Sequence, residues 1–280
     1  AAGALANLGR DHSDNQSSIA KIGAIAPLCT LVREGSDETK DASASAIWSL
    51  STDNAANKDT IAKLGGVDPL IGLLVIGNTE KSQICVAGAF AALSAKHQEN
   101  RNLIAKRLVG LLTASAAKEP ARASRVLNTC SSYASDSATS QVAIAKAGGI
   151  PPLITWLASM SIIAQAHAAH AVLCLAADNP TTQSLIGKSN GLPPLIALLK
   201  KSSPQAQESA LRTLWHITTL IENHSLVIES AAIRPLVGML STDGEVSPEL
   251  AAMIMVRLAR VNREVSSIIA DKGGIPPLVK

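Results

Sequence analysis

The chain has 280 residues, a net charge of +3, and 2% aromatic against 47% hydrophobic residues. A chain rich in Ala and Leu and so poor in aromatics is a weak source of β-strands and a good source of closely packed helices. The charge is too small and too dispersed for a nucleic-acid surface, which needs a concentrated basic stripe, and no apolar run approaches the ~18 residues of a membrane span.

In chain order, the first predicted element is a helix from Ala1 to about Arg10, carrying ALANL (Ala4 to Leu8). Next comes the phrase IAKIGAIAPL (Ile19 to Leu28), which returns as IAKLGGVDPL (Ile61 to Leu70) and IAKAGGIPPL (Ile144 to Leu153). Further copies are IGKSNGLPPL (Ile186 to Leu195), VIESAAIRPL (Val227 to Leu236) and IADKGGIPPL (Ile269 to Leu278). The closing Leu residues are separated by 42, 83, 42, 41 and 42 positions. The double step contains a degenerate copy, IAKRLVGLL (Ile104 to Leu112), which lacks the Gly-x-x-Pro middle. A second phrase runs in phase with the first, as in AIWSL (Ala46 to Leu50) and VLCL (Val172 to Leu175).

Each copy reads as three helices. A short helix around Ile19, Ile61 or Ile144 is ended by Gly23, Gly65, Gly148 or, in the last copy, Gly273, because Gly accepts the left-handed cap. Pro at 27, 69, 151–152, 193–194, 235 and 276–277 then opens a second helix, where its missing N–H costs nothing. A polar loop such as Arg33 to Asp37 leads to a longer third helix, from about Glu38 to Thr52. No single copy could bury its apolar face alone, so stacked neighbours must supply a continuous core. In the third copy the first two helices either merge or the first shortens, and Pro120 starts the third helix.

This order of short helix, Gly break, Pro-started helix and longer helix resembles the armadillo repeat over the whole chain. The resemblance implies an all-α fold, a right-handed α-solenoid of about 42 residues and three helices per repeat. The expected division is a trailing helix (1–12), repeats at 13–52, 53–96, 97–133, 134–177, 178–219 and 220–261, and the start of another at 262–280. Both ends read as uncapped, with Leu5, Leu8, Ile275, Leu278 and Val279 beside absent neighbours. That pattern is expected of a piece of a longer protein, capable of end-to-end self-association.

In the armadillo family the third helices line a concave groove that holds extended partner segments, and many members carry an Asn near the end of that helix. The matching positions here are Asn7, Ser49, Ala92, Thr129, Cys174, His216 and Arg257. One turn earlier lie Gly3, Ser45, Gly88, Arg125, His170, Arg212 and Met253. The Trp-then-Asn pair of the importin-alpha subgroup is absent from every repeat, so this is not the import-receptor type. Trp48 and Trp215 stand one residue before the Asn position, where they either pack between third helices or anchor a partner. The candidate groove residues are Asn7, Trp48, Ser49, Arg125, His170, Arg212, Trp215, His216 and Arg257. Their basic members fall in repeats three to six and suit an acidic or phosphorylated peptide; the competing reading is a set of ordinary solvated helix residues.

Catalytic patterns are missing. His167 and His170 are three apart on a helix, but no further metal ligand stands beside them. There is no G-x-S-x-G, no G-x-G-x-x-G and no phosphate-binding loop. No metal, cofactor or active site is therefore expected. Cys29, Cys85, Cys130 and Cys174 form no C-x-x-C and read as buried thiols of an intracellular protein, cytoplasmic or nuclear. The functional expectation is a scaffold or adaptor that binds a partner's peptide, with no nucleic acid. The alternative is the substrate-recognition part of a larger enzyme, a ubiquitin ligase or kinase, whose catalytic domain lies elsewhere.

Overall fold

The structure, a computed structural model, describes residues 1–76, 79–115, 119–241 and 246–279. The described residues form twenty α-helices and one 3-10 turn, with no strand among them. They fall into two compact units, Ala1–Ala147 and Gly148–Lys280.

The first unit holds α1 (Ala2–Gly9), α2 (Ser13–Lys21), α3 (Ile25–Glu34), α4 (Asp37–Ser51), α5 (Ala55–Lys63), α6 (Val67–Ile76), α7 (Glu80–Ser94), α8 (Gln98–Ser115), α9 (Pro120–Asp136) and α10 (Ala138–Lys146). Its long third helices stack in series, α1 on α4, α4 on α7 and α7 on α9, while α3 packs on α6 and α6 on α8. The second unit holds α11 (Ile150–Leu157), α12 (Ile162–Ala176), α13 (Pro180–Lys188), α14 (Leu192–Leu198), α15 (Pro204–Ile217), α16 (His224–Glu229), α17 (Ile233–Met239), α18 (Val246–Val261), α19 (Arg263–Asp271) and α20 (Ile275–Val279). There α12 packs on α15, α15 on α18, and α11 on α14.

The recurring phrase supplies the core. Ile61, Ile104, Ile144, Ile186 and Val227 are each 0% exposed, as are Leu70, Leu112, Leu153, Leu195 and Leu236. Burying one such side chain stabilises by about 1.5–3 kcal/mol. At the end of each first helix Gly23, Gly65, Gly148 and Gly273 take φ between 68° and 82°. Asn190 and Ala231 occupy the same corner with φ of 59° and 57°.

The third copy has its first two helices merged. In the regular copies nine positions separate the opening Ile from the closing Leu, as in Ile61 to Leu70, but eight separate Ile104 from Leu112. Losing one turn residue along with the Gly and Pro brings Ile104, Leu108 and Leu112 to a spacing of i, i+4 and i+8. All three lie on one buried stripe of α8, the pattern of an unbroken helix. Pro120 opens α9 as expected; Ala116 to Lys118, just before it, lie outside the described residues. Of the end residues, Leu8, Ile275 and Leu278 are exposed and Leu5 is half-buried. The Val279 side chain and Lys280 lie outside the described residues.

A ladder of mostly buried polar side chains, which the apolar pattern does not announce, ties first helices to third helices. A helix leaves its last four carbonyls without intrahelical donors. In the first unit Asn15 Nδ2 donates to the Leu8 carbonyl at 2.9 Å, Gln16 Nε2 to Gly9 at 3.0 Å, Asn57 Nδ2 to Leu50 at 2.8 Å and Asn100 Nδ2 to Leu93 at 3.2 Å. Each pair is seven residues apart. Arg101 donates to the Ser94 carbonyl at 3.0 Å, and Lys58 Nζ reaches Ala95 at 2.6 Å. The second unit repeats the device: Thr182 donates to Leu175, Gln183 to Ala176 at 2.8 Å, and Asn223 to Ile217 at 3.1 Å. These contacts satisfy the ends of the helices that form the candidate site.

Candidate binding face on the third helices

In the first unit, Trp48 projects from α4 and is 36% exposed. One side of its indole lies against α7 at Gly88, so closely that a Cβ on residue 88 would meet three ring atoms at 2.5–2.6 Å. Packing between third helices and exposure to solvent are therefore both true of this side chain. Beside it, Arg10, Asp11, Ser45, Trp48, Ser49 and Thr52 line a cleft of about 470 Å³. Asn7 is exposed on α1, while Ser49 is buried. Asp11 stands at φ 54°, in the sharp turn that joins a third helix to the next first helix.

Arg125 has a different occupation. It is half-buried, and its guanidinium donates to the Val75 carbonyl at 2.7 Å, near the end of α6. Arg125 belongs to the first unit, and His170, Arg212, His216 and Arg257 belong to the second. The basic series expected across repeats three to six is thus divided between two units.

The second unit gathers four of the expected residues. Arg257, from α18, lies 4.7 Å above the centre of the Trp215 indole on α15 and donates to the Trp215 carbonyl at 2.8 Å. A cation over an indole face is attracted by the ring quadrupole, so this Trp is covered by the chain's own arginine. His216 meets Trp215 edge to face, with ring centres 4.8 Å apart. Its Nδ1 is 3.8 Å from the Asp178 carboxylate, a distance too long for a hydrogen bond. Burial holds the His216 pKa below its usual value; Asp178 pulls it up, and Arg257 and Arg212 push it down. Arg212 pairs with Glu208 one turn earlier at 2.8 Å, which offsets part of its charge.

His170 is exposed on α12, and its pKa is lowered first by partial burial and then by neighbouring His167. Its Nε2 is 3.8 Å from the Cys174 sulfur. Among the described residues no group of three or more His, Cys, Asp or Glu is placed to hold a metal ion, and no helix is long and apolar enough to cross a membrane. All four cysteines are buried, and burial pushes the Cys130 thiol up to about 12.

Residues 178–219 match the family model for the armadillo/beta-catenin-like repeat. Among solved structures, a designed armadillo repeat protein superposes with a TM-score of 0.61 at 18% identity, covering 84% of this chain and 99% of its own. The chain has the armadillo repeat fold. Another designed armadillo repeat protein, solved in complex with the peptide (KR)4, gives a TM-score of 0.63 at 17% identity, covering 84% of this chain and 99% of its own. An engineered protein gives 0.63 at 21% identity, over 85% of this chain and 97% of its own. No curated protein gives a significant sequence match.

Two features of this armadillo face escape a position-by-position reading of the sequence. Gly88 lies 40 residues after Trp48, and Arg257 lies 42 residues after Trp215. Both pairs join successive third helices, but Gly88 stands one turn before the repeat position that Arg257 occupies, so the period alone does not single out both partners.

Proposed function

We propose that this armadillo protein is a binding scaffold, in which the third-helix faces hold an extended peptide segment of a partner protein. The observation that carries the reading is the cleft beside Trp48. An indole that is 36% exposed, bordered by Arg10, Asp11 and the hydroxyls of Ser45 and Thr52, combines an apolar anchor with polar groups for a backbone. Buried aromatic anchors of this kind dominate binding energies at interfaces. The peptide held by the designed relative supports the same use of the fold.

The finer reading concerns the second unit. Arg212, His216 and Arg257 come from adjacent third helices and suit a carboxylate or phosphate on the partner through charge-assisted hydrogen bonds. Glu208 tempers that preference. The proposal is of binding, with no chemical step attached.

Fluorescence polarisation against labelled acidic, phosphorylated, neutral and basic peptides tests both levels. Trp48→Ala is expected to weaken the peptide that binds the first unit by about thirtyfold, the scale of a hot-spot residue. Arg212→Glu with Arg257→Glu should abolish a preference for acidic or phosphorylated peptides. Equal binding of acidic and basic peptides refutes the finer reading. Peptide binding that ignores all three substitutions refutes the placement of the site.

A further inference from the structure

One edge of the second unit, where second helices turn into third helices, carries an apolar tip that the core does not use. Met160 is 98% exposed, Ile162 66% and Ile163 65%, whereas Ala164, the next residue, is fully buried. Large apolar side chains grouped this way on a surface mark an interaction site. The tip is ordered by its own hydrogen bonds. The Ala158 and Ser159 N–H groups donate to the carbonyls of Thr155 and Trp156 at 3.2 and 3.1 Å. The Ser161 N–H donates to Ser159 Oγ at 3.2 Å, and Ser161 Oγ in turn caps the Ala164 N–H at 3.4 Å. These bonds fix the shape of the turn from which the three apolar side chains project.

The neighbouring turn supplies charge. Since α12 packs along α15 and α11 along α14, the turn between α14 and α15 lies beside the tip. It bears Lys200 and Lys201, both exposed. No Asp or Glu occurs in residues 148–177 or 179–207, so no carboxylate from either turn opposes these lysines. A projecting apolar tip with a basic flank matches an anionic, apolar and flat surface.

We propose that this edge docks on an anionic lipid bilayer. Met160, Ile162 and Ile163 enter the boundary between headgroups and acyl chains, and Lys200 and Lys201 meet the lipid phosphates. This is surface attachment, not spanning, and it is independent of the third-helix peptide site.

Vesicle co-sedimentation tests it. The intact chain is mixed with phosphatidylcholine vesicles, with or without about one third phosphatidylserine. Binding is expected to the anionic vesicles and to weaken with added salt. Met160→Ser, Ile162→Ser and Ile163→Ser together are expected to lower the bound fraction roughly tenfold or more, as is Lys200→Glu with Lys201→Glu. Melting temperatures equal to the parent's show that these exposed changes leave the fold intact. Trp48→Ala should leave sedimentation unchanged, which separates this site from the peptide site. A parent chain that ignores anionic vesicles, or a triple-Ser variant that binds them as well as the parent, overturns the proposal. Capture of an acidic protein segment by the tip without any vesicle binding overturns it too.

Discussion

Replacing Gly88 by Ala offers a sharp test of how Trp48 is held. The added Cβ would sit 2.5–2.6 Å from Trp48 Cδ2, Cε2 and Cε3, against about 3.5–4.0 Å for carbons at rest. The ring must therefore retreat by about 1 Å or swing into solvent. Overpacking of this kind costs about 1–3 kcal/mol, and Ala in a helix interior returns about 0.8–1.0 kcal/mol relative to Gly. The net expectation is a loss of about 0–2 kcal/mol in chemical denaturation. It comes with a red shift of Trp48 fluorescence, read in a background where Trp156 and Trp215 are Phe. Gly72→Ala is the control. That residue lies within α6, and a Cβ there meets nothing within 4 Å, so the same change should stabilise by about 0.5–1 kcal/mol. If Gly88→Ala stabilises as much as Gly72→Ala and leaves the emission unmoved, Trp48 does not rest on α7 and the anchoring argument fails.

Other substitutions probe the supports of the binding face. Asn57→Ala leaves the Leu50 and Gln16 carbonyls, now bonded at 2.8 and 3.2 Å, without their donor; a loss of about 1–3 kcal/mol is expected in urea unfolding. Ala231→Gly relieves a left-handed alanine worth roughly 1–2 kcal/mol, less the added freedom of the unfolded chain, so the melting temperature should hold or rise. The folded pKa values of His170 and His216 lie below normal, chiefly through burial, so as pH falls through the unfolded value of about 6.5 the unfolded state takes protons first. Thermal stability should fall on that acid side, and His170→Gln with His216→Gln should flatten the slope. Protonated His216 also adds charge beside Arg212 and Arg257, so an acidic peptide bound there should bind more tightly as pH drops from about 7.5 to 6, with Asp178 limiting the gain; fluorescence polarisation across that range reads it.

The fold was legible because one signal was repeated. Burial of an Ile and a Leu at fixed places in each copy is what periodic apolar residues report, and even the degenerate third copy keeps Ile104 and Leu112 fully buried. The outcome of that copy was within reach of simple counting, since a spacing of eight in place of nine puts both residues on one helical stripe. The polar ladder was harder to see. Asn57, Asn100 and Thr182 stand four residues before the phrase's Ile and also recur with the repeat. Yet Asn and Thr at a helix start read as ordinary caps until the geometry shows their donors aimed at a neighbouring helix end.

The candidate site was legible only in its residue types. Trp48 and Trp215 hold equivalent places in their repeats, but what faces each depends on the residue contributed by the following third helix. Gly88 backs one side of the Trp48 ring and the residue stays 36% exposed, whereas Arg257 covers Trp215 and spends one donor on its carbonyl. A partner meeting Trp48 finds uncovered apolar area, and displacement costs it nothing. At Trp215 it must first move a guanidinium, or else use that guanidinium from its outer side. The same residue type at the same repeat position is thus an apolar anchor in one unit and the platform for a cation in the other. That difference is why the first unit carries the anchoring reading and the second the anionic one.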